Sequence, residues 1–214
     1  GDRNSLHGKK IGGWFEQTPD EYLKVALSKA GLKPTDVQLI NIKSNPELIP
    51  QLTEGKVDAV VSLEPWNVLI LDKVPGSYLV QRGGGYLSYM MVSTFQDETI
   101  KSRPDVVEKF ALGLAASAHY TRTHRAEAVE LFAKAVPGVD VEITKKAIQH
   151  LNYDPRISKI NMTAFNAAQE SLIEQGSSEA GKRLDLPKVV LGNYMMKIEK
   201  SHPQYFKDLK PVAY

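Results

Sequence analysis

Apolar and polar positions along residues 9–81 alternate between two periods. Residues 11–15, 37–42 and 59–63 are short, largely apolar stretches bounded by glycine or polar residues, the last of them carrying adjacent valines, the pattern of buried strands. Between them, residues 19–30 and 46–54 place apolar side chains three and four apart, as on the inner face of an amphipathic helix; the first helix stops at Gly31. A short helix is predicted from Trp66 to Leu71 and a further strand over residues 78–81. This alternation predicts an α/β unit: a parallel or mixed sheet with helices on its faces.

Gly83, Gly84 and Gly85 break the pattern, as a loose turn, a hinge or a close approach of backbone to a ligand. Residues 89–94 read as one more strand, and everything beyond is helical in pattern. A long helix is predicted over 104–121, capped by Ser102 with Asp105 in its first turn; shorter ones follow at 126–135, 141–150, 162–175 and 187–200. The strand at 89–94 is then nearly alone after the glycines. A lone apolar strand cannot satisfy its edges, so it either joins the first sheet or belongs with strands that this chain lacks.

Composition narrows the function classes. The 214 residues suffice for one large domain or two lobes, and the formal charge of +2, with bases and acids interleaved, argues against nucleic acid. No apolar run approaches the length of a membrane span. With no cysteine there is no disulfide framework, thiolate metal site or cysteine nucleophile in this chain.

Three strand ends carry the chemistry. The first βα junction runs from Trp14 through Gln17 and Thr18 to Pro19 and Glu21. Thr18 as N-cap, Pro19 in the first turn and Glu21 in a capping box account for these residues without any function. A helix amino terminus at the ligand end of a sheet also offers free N–H groups to an anion. The second junction, Lys43 to Asn45, has the same form, with Ser44 or Asn45 as cap and Pro46 in the first turn. The third is Glu64, Pro65 and Trp66, an acid and a large aromatic at the end of the apolar run, read either as a small-molecule clamp or as a solvated acid beside a core tryptophan. In a parallel sheet these ends converge on one rim, where open α/β sheets place ligands.

Groups that would mark an enzyme are missing. His119 and His124 are five apart and do not share a helix face as metal ligands would. His7, His150 and His202 have no recognisable acid or hydroxyl partner in the sequence. The glycine run lacks the Lys-Ser/Thr pair of a phosphate loop. Tyr89-Met90-Met91 and Tyr194-Met195-Met196 read as core packing. No cofactor or metal is expected.

Several segments in fixed order resemble a known family: Gly8-Lys-Lys-Ile-Gly12, Leu27-Ser-Lys-Ala-Gly-Leu32, Leu52-Thr-Glu-Gly-Lys-Val-Asp-Ala-Val60 with Glu64-Pro-Trp66, the glycine run with Tyr86, and Arg103-Pro-Asp-Val-Val-Glu-Lys-Phe110 heading a long helix. The chain resembles the SsuA/THI5-like (NMT1-like) solute-binding proteins of ABC importers for sulfonates, taurine, nitrate and pyrimidine precursors. The resemblance implies a type II periplasmic-binding fold with two α/β lobes, a mixed sheet in each, and ligand between them. Residues 9–85 would form the second lobe. Residues 86–214 would return to the first lobe and add carboxyl-terminal helices, with the amino-terminal segment of lobe one missing. It further implies a periplasmic or lipid-anchored extracytoplasmic protein that binds a small organic solute without turnover and docks on a membrane permease. On that reading Gln17, Thr18 and Asn45 face a polar or anionic group, Trp66 stacks on the solute, Tyr86 closes over it, and Trp14 is a further contact. Glu64, a carboxylate that must be paired if buried, would suit an amine or ring N–H and be a poor neighbour for a simple anion. The alternatives are an enzyme on the same fold, pyrimidine synthase-like or desulfinase-like, or a ligand-sensing regulatory domain. The first two use cysteines that this chain does not contain.

Overall fold

The structure is a computed structural model and describes residues 6–15, 18–83, 89–174, 176 and 182–214. In chain order it contains β1 (Lys10–Gly13), α1 (Thr18–Lys29), β2 (Gln38–Asn41), α2 (Leu48–Thr53), β3 (Ala59–Val61), α3 (Trp66–Lys73), α4 (Asp97–Ser102), α5 (Pro104–Thr123), α6 (Arg125–Ala135), α7 (Val141–Ala147), α8 (Lys159–Glu174), α9 (Leu186–Val189) and α10 (Gly192–Ser201). The chain divides into two units, Gly1–Tyr89 with Ala133–Leu151, and Met90–Phe132 with Asn152–Tyr214.

The first unit is built on a three-stranded parallel sheet in the order β2-β1-β3. Its faces follow from the two-residue period of a strand. Ile11, Ala59 and Val61 pack with Phe15, Val37 and the α1 side chains Leu23 and Leu27. Val60 turns to the opposite face, where Ile42, Leu48, Val57, Ile70 and Val74 form a second cluster under α2 and α3. Each aliphatic side chain fully buried this way contributes about 1.5–3 kcal/mol. The central strand admits no side chain at two positions. A Cβ on Gly12 would lie 2.7 Å from Ile42 Cδ1, and one on Gly13 would lie 2.8 Å from Val61 Cγ1. Asp58 ties this sheet at its other end, its carboxylate accepting from the Lys10 N–H at 2.8 Å. The register sets Gly13 level with both Asn41 and Val61, so all three strands end at one rim.

Among the described residues the second unit is helical. Ala111 and Ala115 of α5, one turn apart, pack on Met195 and Ile198 of α10, with Phe206 closing the cluster. Two arginines pin its carboxyl-terminal segment. Arg156, only 6% exposed, donates to Asp154 from Nε (2.9 Å) and Nη2 (2.7 Å), to Glu199 from Nη1 (2.9 Å) and to the Lys210 carbonyl from Nη2 (2.7 Å). Arg122 donates to Asp208 from Nε at 2.7 Å, and to the carbonyls of Tyr153 and Tyr205 at 2.6 Å each.

Several expectations are corrected. Residues 78–81 and 89–94 form no strand; Tyr78 is 64% and Met91 84% exposed. Apolar patterning was present in both, but neither has a neighbouring strand to complete a ladder, and a strand without one is not stable. The Tyr89-Met90-Met91 group is therefore not core, whereas Met195 of the second Tyr-Met-Met group is. Ser102 does not cap α5: its hydroxyl turns back to the Glu98 carbonyl at 2.7 Å, and Arg103 occupies the cap position. The helix expected over 187–200 breaks into α9 and α10, because Val190 is extended before Leu191 and Gly192 restart it. The sheet, read from the residues as parallel or mixed, is parallel among the described residues.

Candidate functional site at the strand ends

The rim of the sheet brings together five of the seven residues expected to contact ligand. Trp14 leaves β1 directly and is 39% exposed. Thr18, half-buried, opens α1, and Asn45, also half-buried, opens a 3-10 turn (Asn45–Glu47) after β2. Ser44 stands at the cap of that turn in extended conformation, but its side chain makes no capping hydrogen bond. Glu64 and Trp66 flank Pro65 after β3, the Glu64–Pro65 bond being cis, and half-buried Trp66 is the first residue of α3. Gln17 and Tyr86 lie outside the described residues. The junctions are tied locally. The Asn41 side chain accepts from the Phe15 N–H at 3.2 Å, and the Ser62 hydroxyl donates to the Asn67 side chain at 2.5 Å across the β3–α3 turn.

The side chain of Glu64 is only 8% exposed, and it is engaged. One carboxylate oxygen accepts a long hydrogen bond from the Val68 N–H at 3.4 Å, in the first turn of α3, where the helix dipole favours an anion. The other lies 3.0 Å from Arg82 Nε. That contact is ionic, the two groups being out of line for a hydrogen bond. Arg82 Nη1 meets His150 Nε2 at 2.9 Å. A guanidinium can only donate, so this imidazole is neutral with its proton on Nδ1. Arg82 Nη2 is shielded and has no hydrogen-bond partner among the described residues.

This chain of contacts borders an open concavity of about 340 Å³ lined by Val68, Leu71, Asp72, Arg82, Lys146 and His150. Val68 and Leu71 give it an apolar side. Lys146 binds Asp72 at 3.0 Å, and Lys73 lies 3.3 Å from the same carboxylate. The Lys146 hydrogen bond, and then that of Lys73, hold the Asp72 carboxyl below its ordinary range. Among the described residues no group of three metal-ligating side chains is assembled, and no helix is long and apolar enough to cross a membrane.

Sequence reading missed Arg82 and His150. Arg82 directly follows the apolar run 78–81, so the reasoning applied to the other three strand ends would have singled it out. Nothing local marks His150, which meets Arg82 across 68 positions of sequence. His119 also finds a distant partner, Asp208 at 3.2 Å, whereas His202 meets the hydroxyl of its own sequence neighbour Ser201 at 2.9 Å.

The family model described as NMT1/THI5 like matches residues 2–128, more than half of the chain. The chain belongs to the NMT1/THI5-like family. Among curated proteins none matches its sequence. Among solved structures, this family member is similar to the alkanesulfonate-binding protein SsuA from Xanthomonas axonopodis pv. citri bound to MOPS, at 19% identity and a TM-score of 0.61, covering 81% of this chain and 60% of that one. It is similar to the putative periplasmic sulfonate-binding protein SsuA of a sulfonate ABC transporter from Methylobacillus flagellatus KT, at 14% identity and a TM-score of 0.73, covering 98% and 64%. It is also similar to the desulfurization enzyme DSZB, at 16% identity and a TM-score of 0.64, covering 94% and 72%. At these identities the likeness is one of fold, the α/β fold of periplasmic binding proteins. The NMT1/THI5-like chain spans 60% and 64% of the lengths of the two SsuA structures.

Proposed function

We propose that this protein is the solute-binding component of an ABC importer, working outside the cytoplasmic membrane in the periplasm or on a lipid anchor. Its rim of strand ends forms one wall of the site for a small organic solute, and a membrane permease receives the loaded protein. The observation that carries this reading is the alignment of three parallel strands at Gly13, Asn41 and Val61, which delivers Trp14, Thr18, Asn45 and Trp66 to one edge. Gln17 and Tyr86 are proposed to join them. The solute is better matched by a simple aliphatic sulfonate than by a pyrimidine or by taurine, which bring an amine or ring N–H. Glu64, the group that would bind an amine or ring N–H, already faces Arg82 at 3.0 Å, so its charge is neutralised within the protein.

Residues 89–94, with Met91 and Val92 exposed, are read as surface that the remaining length of the relatives covers. The likeness to DSZB favours an enzyme as the second reading; this chain has no cysteine to act as a desulfinase nucleophile.

Titration calorimetry against propane-1-sulfonate, taurine, nitrate and an aminopyrimidine tests the proposal. Binding in the micromolar range, about −8 kcal/mol, is expected for the first. Product formation from any of them would support the enzyme instead. Trp66→Ala should weaken binding by about 1–3 kcal/mol if the ring stacks on solute; an unchanged affinity with lowered stability would assign Trp66 to the core.

A further inference from the structure

We propose that Arg82 and His150 form an oxyanion-binding pair in which the anion enters together with a proton taken up by His150. The proposal rests on the solute-binding reading above and names the group that receives the acidic end of the solute. In the structure Arg82 is already committed on one side, its Nε against Glu64. On its other side Nη1 rests on His150 Nε2, while Nη2 has no acceptor among the described residues. A buried donor left without an acceptor is costly, and a guanidinium edge presenting two parallel N–H groups matches the oxygens of a sulfonate or carboxylate. Each terminal nitrogen carries two N–H groups, and an oxyanion that takes Nη1 and Nη2 along the edge His150 faces displaces the imidazole from Nη1. His150 Nε2, having lost a donor to face, then becomes a donor itself by protonating, and its N–H completes the anion's set of hydrogen bonds.

The surrounding charges support this direction. Arg82 comes from the segment after α3, Asp72 and Lys73 from α3, Lys146 from α7, and Glu64 from behind Arg82. Three cations thus stand against two carboxylates around a neutral His150. Arg82 stands 2.9 Å from His150 and Lys146 lines the same concavity, so an oxyanion arriving there offsets cations that already face the imidazole. Protonation and anion binding are therefore coupled, and by linkage each favours the other equally. Val68 and Leu71 on the same concavity accept the apolar part of the solute.

All of these residues belong to the first unit, so the full 214-residue chain is the protein to test. Calorimetric titration with propane-1-sulfonate should show affinity rising about fivefold or more between about pH 8 and about pH 6, around the ordinary titration range of imidazole. The heat should depend on the ionisation enthalpy of the buffer, as proton uptake requires. Both signs should vanish in His150→Gln, an exposed position where the fold should not suffer. Arg82→Lys should weaken the sulfonate about tenfold. In the unmodified chain the His150 ring resonance should titrate at higher pH in the presence of sulfonate, and not in Arg82→Lys. An affinity that is flat with pH, or a pH slope retained in His150→Gln, overturns the proton coupling while leaving solute binding in place. A His150 midpoint that inorganic sulfate moves in a chain that takes up no solute from the panel sinks the importer reading and keeps the pair. A midpoint that sulfonate leaves unmoved overturns the pair whatever else binds.

Discussion

Arg156 in the second unit and Arg82 in the first show how differently one side chain can be used. Arg156 is nearly saturated: two carboxylates and a backbone carbonyl take four of its five N–H donors, and its guanidinium lies 6.0 Å above the centre of the Phe206 ring. All three of its nitrogens are engaged. Arg82 is held by one ionic contact and by a neutral imidazole, with one terminal nitrogen unmatched. A saturated buried arginine fixes a segment in place. An unsaturated one beside a concavity keeps binding capacity in reserve. The lesson is that the count of satisfied donors, and not the presence of an arginine in a core or at a rim, separates a structural role from a receptive one.

The largest effect should come from Arg156→Met. It leaves Asp154 and Glu199 facing each other in a poorly solvated place without their shared counter-ion, and about 3–5 kcal/mol of stability should be lost, read from urea unfolding. A loss under about 1 kcal/mol would erase the contrast with Arg82. Next is Gly13→Ala on the central strand, where the new methyl group meets Val61 Cγ1 at 2.8 Å and the Val61 carbonyl at 3.2 Å. Overpacking there should cost about 1–3 kcal/mol and, because Gly13 sits at the rim, should also disturb Trp14 fluorescence. A neutral result would mean that the rim is looser than its register implies.

A smaller effect concerns Arg122, the other arginine whose three nitrogens are all engaged. Its hydrogen bond to Asp208 holds that carboxyl down at about 2. The folded value lies below that of an unfolded aspartate, about 3.9, so the stabilisation is fully present above about pH 4 and is lost as the pH falls toward 2. Asp208 is about a third exposed, and solvent screening limits the contribution to about 1 kcal/mol. Asp208→Asn should therefore flatten the acid limb of a stability–pH curve by that amount, and an unchanged limb would show Arg122 to be held by its carbonyl acceptors alone. The smallest change is expected for Arg82→Lys, which keeps a cation against Glu64 and should alter stability by less than about 1 kcal/mol. If it destabilised the protein as much as Arg156→Met, Arg82 would be a second structural staple and the distinction would fail.

How much was legible follows from the range over which each feature is decided. The strands at 11–15, 37–42 and 59–63 were readable because each is a short apolar run bordered by its own turn residues, and the helices between them carry their stop signals nearby. The rim was legible for the same reason: parallel strands in βα units must end on one side, so Trp14, Asn45 and Glu64 could be grouped without coordinates. The runs at 78–81 and 89–94 looked no different locally. What they lack is a partner strand, which no window of sequence around them contains. Glu64 was read correctly as needing a partner if buried, but the partner was assigned to the solute, whereas the chain supplies it in Arg82.

By itself, then, the sequence determined the α/β alternation, the shared rim of the three strands and the residue types on it, since periodicity and turn chemistry act over a few neighbouring positions. Only the tertiary structure decided which charges on that rim are already spent. Arg82 lies 18 positions beyond Glu64, and His150 lies 68 beyond Arg82. Whether a donor is matched depends on a distance of about 3 Å between groups that the sequence alone leaves far apart.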